Sequence, residues 1–131
     1  MRALLPPFLL FVLLQVAIAE LPPSAYESMQ TKAPEHLQVQ ILRVDIAPGK
    51  NDASQEIQAM AMVEKVERSA SGLKPGDVLN IAYTLEERPP GWVGPGQVPI
   101  LAEGETVAYL KKLDKSETYA PAAGAMSFHN F

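Results

Sequence analysis

The chain has 131 residues, 15 Asp and Glu against 11 Lys and Arg, a formal net charge of −4, 12 prolines and no cysteine. This length supports one compact domain, and the missing cysteines exclude a disulfide scaffold, a thiol nucleophile and a cysteine-ligated zinc or iron–sulfur site. The acidic balance argues against a nucleic-acid partner, which requires a basic face.

The first 19 residues, MRALLPPFLLFVLLQVAIA, predict a signal peptide. Arg2 supplies the positive n-region, Phe8 to Leu14 is an unbroken apolar stretch, and Ala17 and Ala19 place small residues at −3 and −1 of a cleavage site. Cleavage between Ala19 and Glu20 is expected, with export to the periplasm or the extracellular space. An uncleaved anchor is the competing reading and the only membrane association the sequence suggests. Fifteen of those 19 residues are apolar and one is Arg2. Without them the remaining 112 residues are more polar, carry −5, and must fold on packing alone.

Residues 20–36 form an N-terminal segment. Ser24-x-x-Glu27 has capping-box spacing and predicts a short helix over about Ala25 to Lys32, limited by Pro34, with Tyr26 and Met29 toward the domain. From Leu37 the period becomes two, and residues 37–131 read as the main domain. Leu37, Val39 and Ile41 alternate with glutamines, then Leu42, Val44 and Ile46 continue on the opposite parity. A β-bulge near Ile41-Leu42 accounts for that slip. Pro48 to Asp52 is a loop, Ile57 to Val66 a second strand, and Gly72 with Pro75-Gly76-Asp77 a turn. Val78 to Leu85 alternates cleanly, with Leu79, Ile81, Tyr83 and Leu85 on one face. Residues 86–103 form a long loop of a kind often functional. Thr106 to Leu113 is a fourth strand, in which Val107 and Tyr109 share a parity. Thr118 to Phe128 reads as a broken edge strand around Pro121 and Gly124. Five short strands and one short helix predict a mainly β protein, a small five-stranded OB-like Greek-key barrel, with a small sandwich as the alternative.

The stretch Ala61-Met62-Val63-Glu64-Lys65-Val66-Glu67-Arg68-Ser69, followed by Gly72 to Tyr83, resembles the strand–turn–strand of netrin-module or TIMP-like OB-fold proteins. Gly104 with Ala108-Tyr109-Leu110, then Tyr119-Ala120-Pro121, is similar to exported bacterial proteins of uncharacterised function with that fold. The resemblance covers residues 37–128 and implies a barrel. It does not imply the inhibitory chemistry, because TIMP-like inhibitors chelate a protease zinc through an N-terminal cysteine and this chain has none.

Little in the chain reads as catalytic, and no cofactor is expected. His36 precedes the first predicted strand and His129 lies near the end, and no local motif supports a Ser–His–Asp arrangement. Glu86-Glu87 and Glu103/Glu105 read as solvated charge before they read as acid/base pairs. Lys111, Lys112 and Lys115 read as a charged edge that discourages sheet association. Trp92, the single tryptophan, sits in a Pro/Gly-rich setting four residues after Arg88. Its indole either stacks on a ligand or folds back as a barrel plug. The expected function is an exported, non-enzymatic module that binds a protein or an oligosaccharide-like ligand through the 86–103 loop, with Trp92, Arg88 and Tyr119 as contacts. The alternative is a copper-handling protein in which the thioethers of Met60, Met62 and Met126 offer soft donors to Cu(I).

Overall fold

A computed structural model describes residues 21–51, 53–88, 90–91, 96–114 and 116–129. The predicted signal peptide and its cleavage site at Ala19/Glu20 lie outside these residues, as do Trp92 and Lys115.

Helix α1 spans Pro23–Lys32. It starts earlier than expected, with Pro22 as its N-cap and no side-chain capping bond, so the Ser24/Glu27 box does not form. Proline at the first helical position explains the shift: its fixed φ suits the first turn, and the amide it lacks would be unbonded there anyway. The helix ends where Ala33 turns extended ahead of Pro34. Arg68 then donates from Nε to the Ala33 carbonyl and from a terminal nitrogen to that of Gln30, both at 2.8 Å. A cation thus satisfies orphan carbonyls at the negative end of the helix dipole.

Six strands follow: β1 (Glu35–Pro48), β2 (Ser54–Ser69), β3 (Val78–Glu86), β4 (Gly104–Lys112), β5 (Thr118–Pro121) and β6 (Phe128–His129). The pairing order is β1-β2-β3-β5-β4, and β4 pairs back to β1, closing a five-stranded OB-like barrel. The β3–β5 contact is parallel and the other pairings are antiparallel. Closure explains how a small sheet avoids two open edges.

The bulge expected from the change of parity is present. Ile41 pairs with Ala61 and Arg43 with Met60, which leaves Leu42 as the extra residue. The strand can therefore bend around the barrel while Ile41 and Val44 both stay on its inner side. β1 begins at Glu35, two residues before the expected domain start, so His36 lies within the strand. Gly76 takes a φ of +93° in the β2–β3 connection, the left-handed region that glycine enters without cost.

The last strand is broken as expected; among the described residues its second piece, β6, pairs with β4 alone, but its first piece is not an edge. β5 lies between β3 and β4. Pro121 sits opposite Leu110 and Phe128 opposite Ala108. A short 3-10 turn, Gly124–Met126, occupies the excursion between them, and β6 resumes pairing on β4. Tyr26 and Met29 of α1, both half-buried, lie against this turn beside Gly124.

The core is the barrel interior. Leu37, Val39, Ile41, Ala59, Ala61, Val63, Leu79, Ile81, Ala108, Leu110, Tyr119 and Phe128 fill it, with Leu101 from the long loop. In β4 the inward parity is that of Ala108 and Leu110, so Tyr109 faces outward. The expected grouping of Tyr109 with Val107 carried no sign of this, because Thr106, Val107 and Ala108 are buried in succession.

Candidate functional site

Three features of the barrel could meet a ligand, and the sequence anticipated part of one. The first is the long loop between β3 and β4. Its second half is fastened rather than free. The Gln97 side chain accepts from the Glu86 amide at 3.0 Å and donates to the Glu86 carbonyl at 2.6 Å, imitating a neighbouring strand at the end of β3. The Tyr83 hydroxyl donates to the Pro99 carbonyl at 2.7 Å and accepts from the Leu101 amide at 3.1 Å. Burial raises the Tyr83 phenol above its ordinary value, opposed by the Leu101 amide. Val98 and Leu101 pack on the core, so residues of this loop do part of the plugging considered for Trp92. Arg88 is exposed where β3 gives way to the loop. Trp92 falls outside the described residues.

Tyr119 is not a surface contact. It is 1% exposed and its ring is core. Its hydroxyl donates to Ser71 Oγ at 2.8 Å, because the Ser71 proton is committed to Glu35 Oε1 at 3.0 Å. Ser69 also donates to Glu35 Oε1 and accepts from the Leu73 amide at 2.9 Å. A carboxylate that is 1% exposed thereby ties the start of β1 to the 69–73 turn and to β5. Sequence reasoning missed Glu35 because an isolated glutamate is ordinarily surface.

The second feature is a shallow groove of about 290 Å³ on the outer face of β1, β2 and β3, bounded by Thr118 of β5. Arg43 and Asp45 line one wall, Gln58 and Met60 the floor, and Asn80 the other wall. Their alignment follows from register: Met60 pairs with both Arg43 and Asn80, and Gln58 with Asp45 and Ala82. Arg43 and Asp45 form an exposed ion pair at 3.0 Å. Alternation along each strand signals these outward positions, but only the fold places the three rows side by side.

The methionines divide. Met60 is 40% exposed and Met62 half-buried on the outward parity of β2, whereas Ala59 and Ala61 fill the interior. Both side chains therefore project away from the barrel interior. The Met126 carbonyl accepts from Gln30 of α1, whose own carbonyl is held by Arg68. Arg68 lies eight residues along β2 from Met60, a path of roughly 26 Å at about 3.3 Å per residue. Met60 and Met62 thus stand on β2 and Met126 on the separate 3-10 turn, Gly124–Met126. Among the described residues no group of three or more His, Asp or Glu side chains is placed to hold a metal ion.

The third feature gathers the two histidines, which the sequence left apart. His36 of β1 stacks on Tyr109 of β4 with ring centroids 4.4 Å apart, and His129 of β6 lies 5.9 Å from the same ring. Burial, then the Arg68 charge, hold the His36 imidazole below its ordinary value; His129 acts the same way and Glu67 opposes. The unfolded chain therefore binds a proton at His36 that the folded chain resists. Stability from this group is present at neutral pH and falls as the pH drops through the ordinary imidazole value of about 6.5 and below. Thermal melts of the wild type and His36→Gln across this range should show a shallower acid-side decline in the variant; parallel curves would remove His36 as a cause.

The fold defines the class: a closed five-stranded OB-like barrel with an N-terminal helix, a shallow polar groove outside β1–β3 and a fastened β3–β4 loop. No protein-family model, curated protein or solved structure matches the chain.

Proposed function

We propose that this chain is an exported, non-enzymatic binding module. Its ligand is oligosaccharide-like or a segment of another protein, and it engages the outer groove together with the 86–103 loop. The groove is the observation that carries this reading. A guanidinium, a carboxylate, two carboxamides and a hydroxyl are set at strand spacing around one exposed thioether. Such groups hydrogen-bond vicinal hydroxyls or peptide units, and OB barrels bind ligands on this kind of strand face and its adjoining loops. From Asn80 the outer face of β3 runs through Thr84, which donates to Glu56 at 3.0 Å, to the base of the loop at Glu86. Groove and loop can therefore serve one extended ligand, with Arg88 at its far end. A kinship with netrin-module and TIMP-like barrels belongs to the same proposal.

The test is a glycan array and an array of extended peptides, followed by titration of each hit against Trp92 fluorescence. Asn80→Ala and Met60→Ala are expected to weaken a hit about 5- to 10-fold each, corresponding to about 1 kcal/mol, without shifting Tm. Unchanged affinity in both variants would remove the groove from the site. An absence of hits on both arrays would count against the module itself.

A further inference from the structure

We propose that the outer half of β1, Leu42–Ile46, is a homodimerisation edge that pairs antiparallel with the same segment of a second copy. β4 covers β1 only as far as Ile41, which pairs with Gly104. Beyond that point β1 continues to Pro48 with β2 on one side. Among the described residues no strand pairs with its other side. An uncovered edge presents a row of backbone donors and acceptors ready to accept another strand. Leu42 and Ile46 on this edge are 42% and 51% exposed, so both side chains are accessible to a second copy.

The sequence of the edge identifies the occupant. Leu42-Arg43-Val44-Asp45-Ile46 is a palindrome in chemical character about Val44. In an antiparallel pair centred on Val44, Leu42 meets the second copy's Ile46, Arg43 meets its Asp45, and Val44 meets Val44. Opposed residues share a face, so the outward face carries two inter-chain ion pairs. The other face carries six apolar side chains, three from each copy. Register is specified as well. A slip of two residues sets Arg43 against Arg43 or Asp45 against Asp45, and a slip of one sets charged side chains against apolar ones. The symmetry is the isologous two-fold of most dimers. Pro48 then ends the ladder, because it offers no amide. Among the described residues of one chain Arg43 and Asp45 form an ion pair with each other, at side-chain exposures of 68% and 58%. The same two charges become a four-membered alternating row when two copies meet. The short paired stretch implies a reversible dimer and not an obligate one.

The absence of cysteine makes the test direct. Sedimentation equilibrium of the purified protein should show a concentration-dependent dimer. Arg43→Asp places a carboxylate against the second copy's Asp45, and Asp45→Arg places two guanidinium groups together. Each should weaken dimerisation by about tenfold or more, since two favourable cross-strand pairs become repulsive. The double variant Arg43→Asp/Asp45→Arg should restore dimerisation. Under mild oxidation Val44→Cys should give a disulfide-linked dimer. Leu42→Cys and Ile46→Cys should not, because each residue lies about 13 Å along the ladder from its own copy, beyond disulfide reach. A wild type that stays monomeric at its highest soluble concentration would overturn the proposal. Cross-linking at positions 42 or 46 as fast as at 44 would do the same, as would a double variant no better than the single ones. The charge variants keep the test open if Val44→Cys fails to fold.

Discussion

Tyr119→Ala is expected to bring the barrel close to unfolding. The ring is 1% exposed and lies in β5, the strand that bridges β3 and β4 in the barrel wall. Removing a buried aromatic of this size costs about 3–5 kcal/mol from lost transfer and the cavity left behind. Total stability for a domain of this size is about 5–15 kcal/mol, so Tm should fall by roughly 12–20 °C. Tyr119→Phe keeps the packing and deletes the bond to Ser71, and should cost only about 1 kcal/mol. Urea denaturation of the two variants separates ring from hydroxyl. A Tyr119→Ala protein with unchanged Tm but weakened ligand binding would return Tyr119 to the surface role its sequence position suggested.

The misplacement of Tyr119 shows what the sequence could and could not carry. Local signals were legible wherever one face of an element is buried and the other wet. The alternation of β3, the Pro75-Gly76-Asp77 turn and the change of parity at Leu42 each correspond to an observed feature. Tyr119 stands in TYAPAAGAM, where proline and glycine suggest an edge. Its burial comes from pairing with residues 38 positions earlier in β3, as Tyr119 sits beside Ile81, and no local pattern encodes that contact. The same cause hid the groove, whose walls are outward positions on three different strands. It also hid the His36–Tyr109–His129 row, which β4 assembles from the two ends of the domain. At the helix start the local rule was sound but lost to a neighbour: two prolines fixed the first turn before Ser24 could cap it. Net charge and the lack of cysteine excluded whole chemistries yet said nothing of which surface meets a partner.

Glu35→Ala should be the second severe substitution, and the one most at odds with residue type. A glutamate at the start of a strand ordinarily points to water and is replaced for a few tenths of a kcal/mol. Here the carboxylate is 1% exposed and accepts from both Ser69 and Ser71. Truncation leaves those hydroxyls without their acceptor beside a new cavity, and each hydrogen bond to a charged group is worth about 1.5–3 kcal/mol. The expected loss is about 3 kcal/mol, with about 1 kcal/mol for Glu35→Gln, which keeps the acceptor oxygen. The consequence reaches beyond the cavity, because this carboxylate joins β1 to the 69–73 turn and, through Ser71, to Tyr119 of β5. Glu35→Ala combined with Tyr119→Phe should therefore cost less than the sum of the two singles, by on the order of 1 kcal/mol, as expected for members of one hydrogen-bonded network. Strict additivity in that double-mutant cycle would mean that Glu35 and Tyr119 stabilise the barrel separately, with Ser71 a bystander between them.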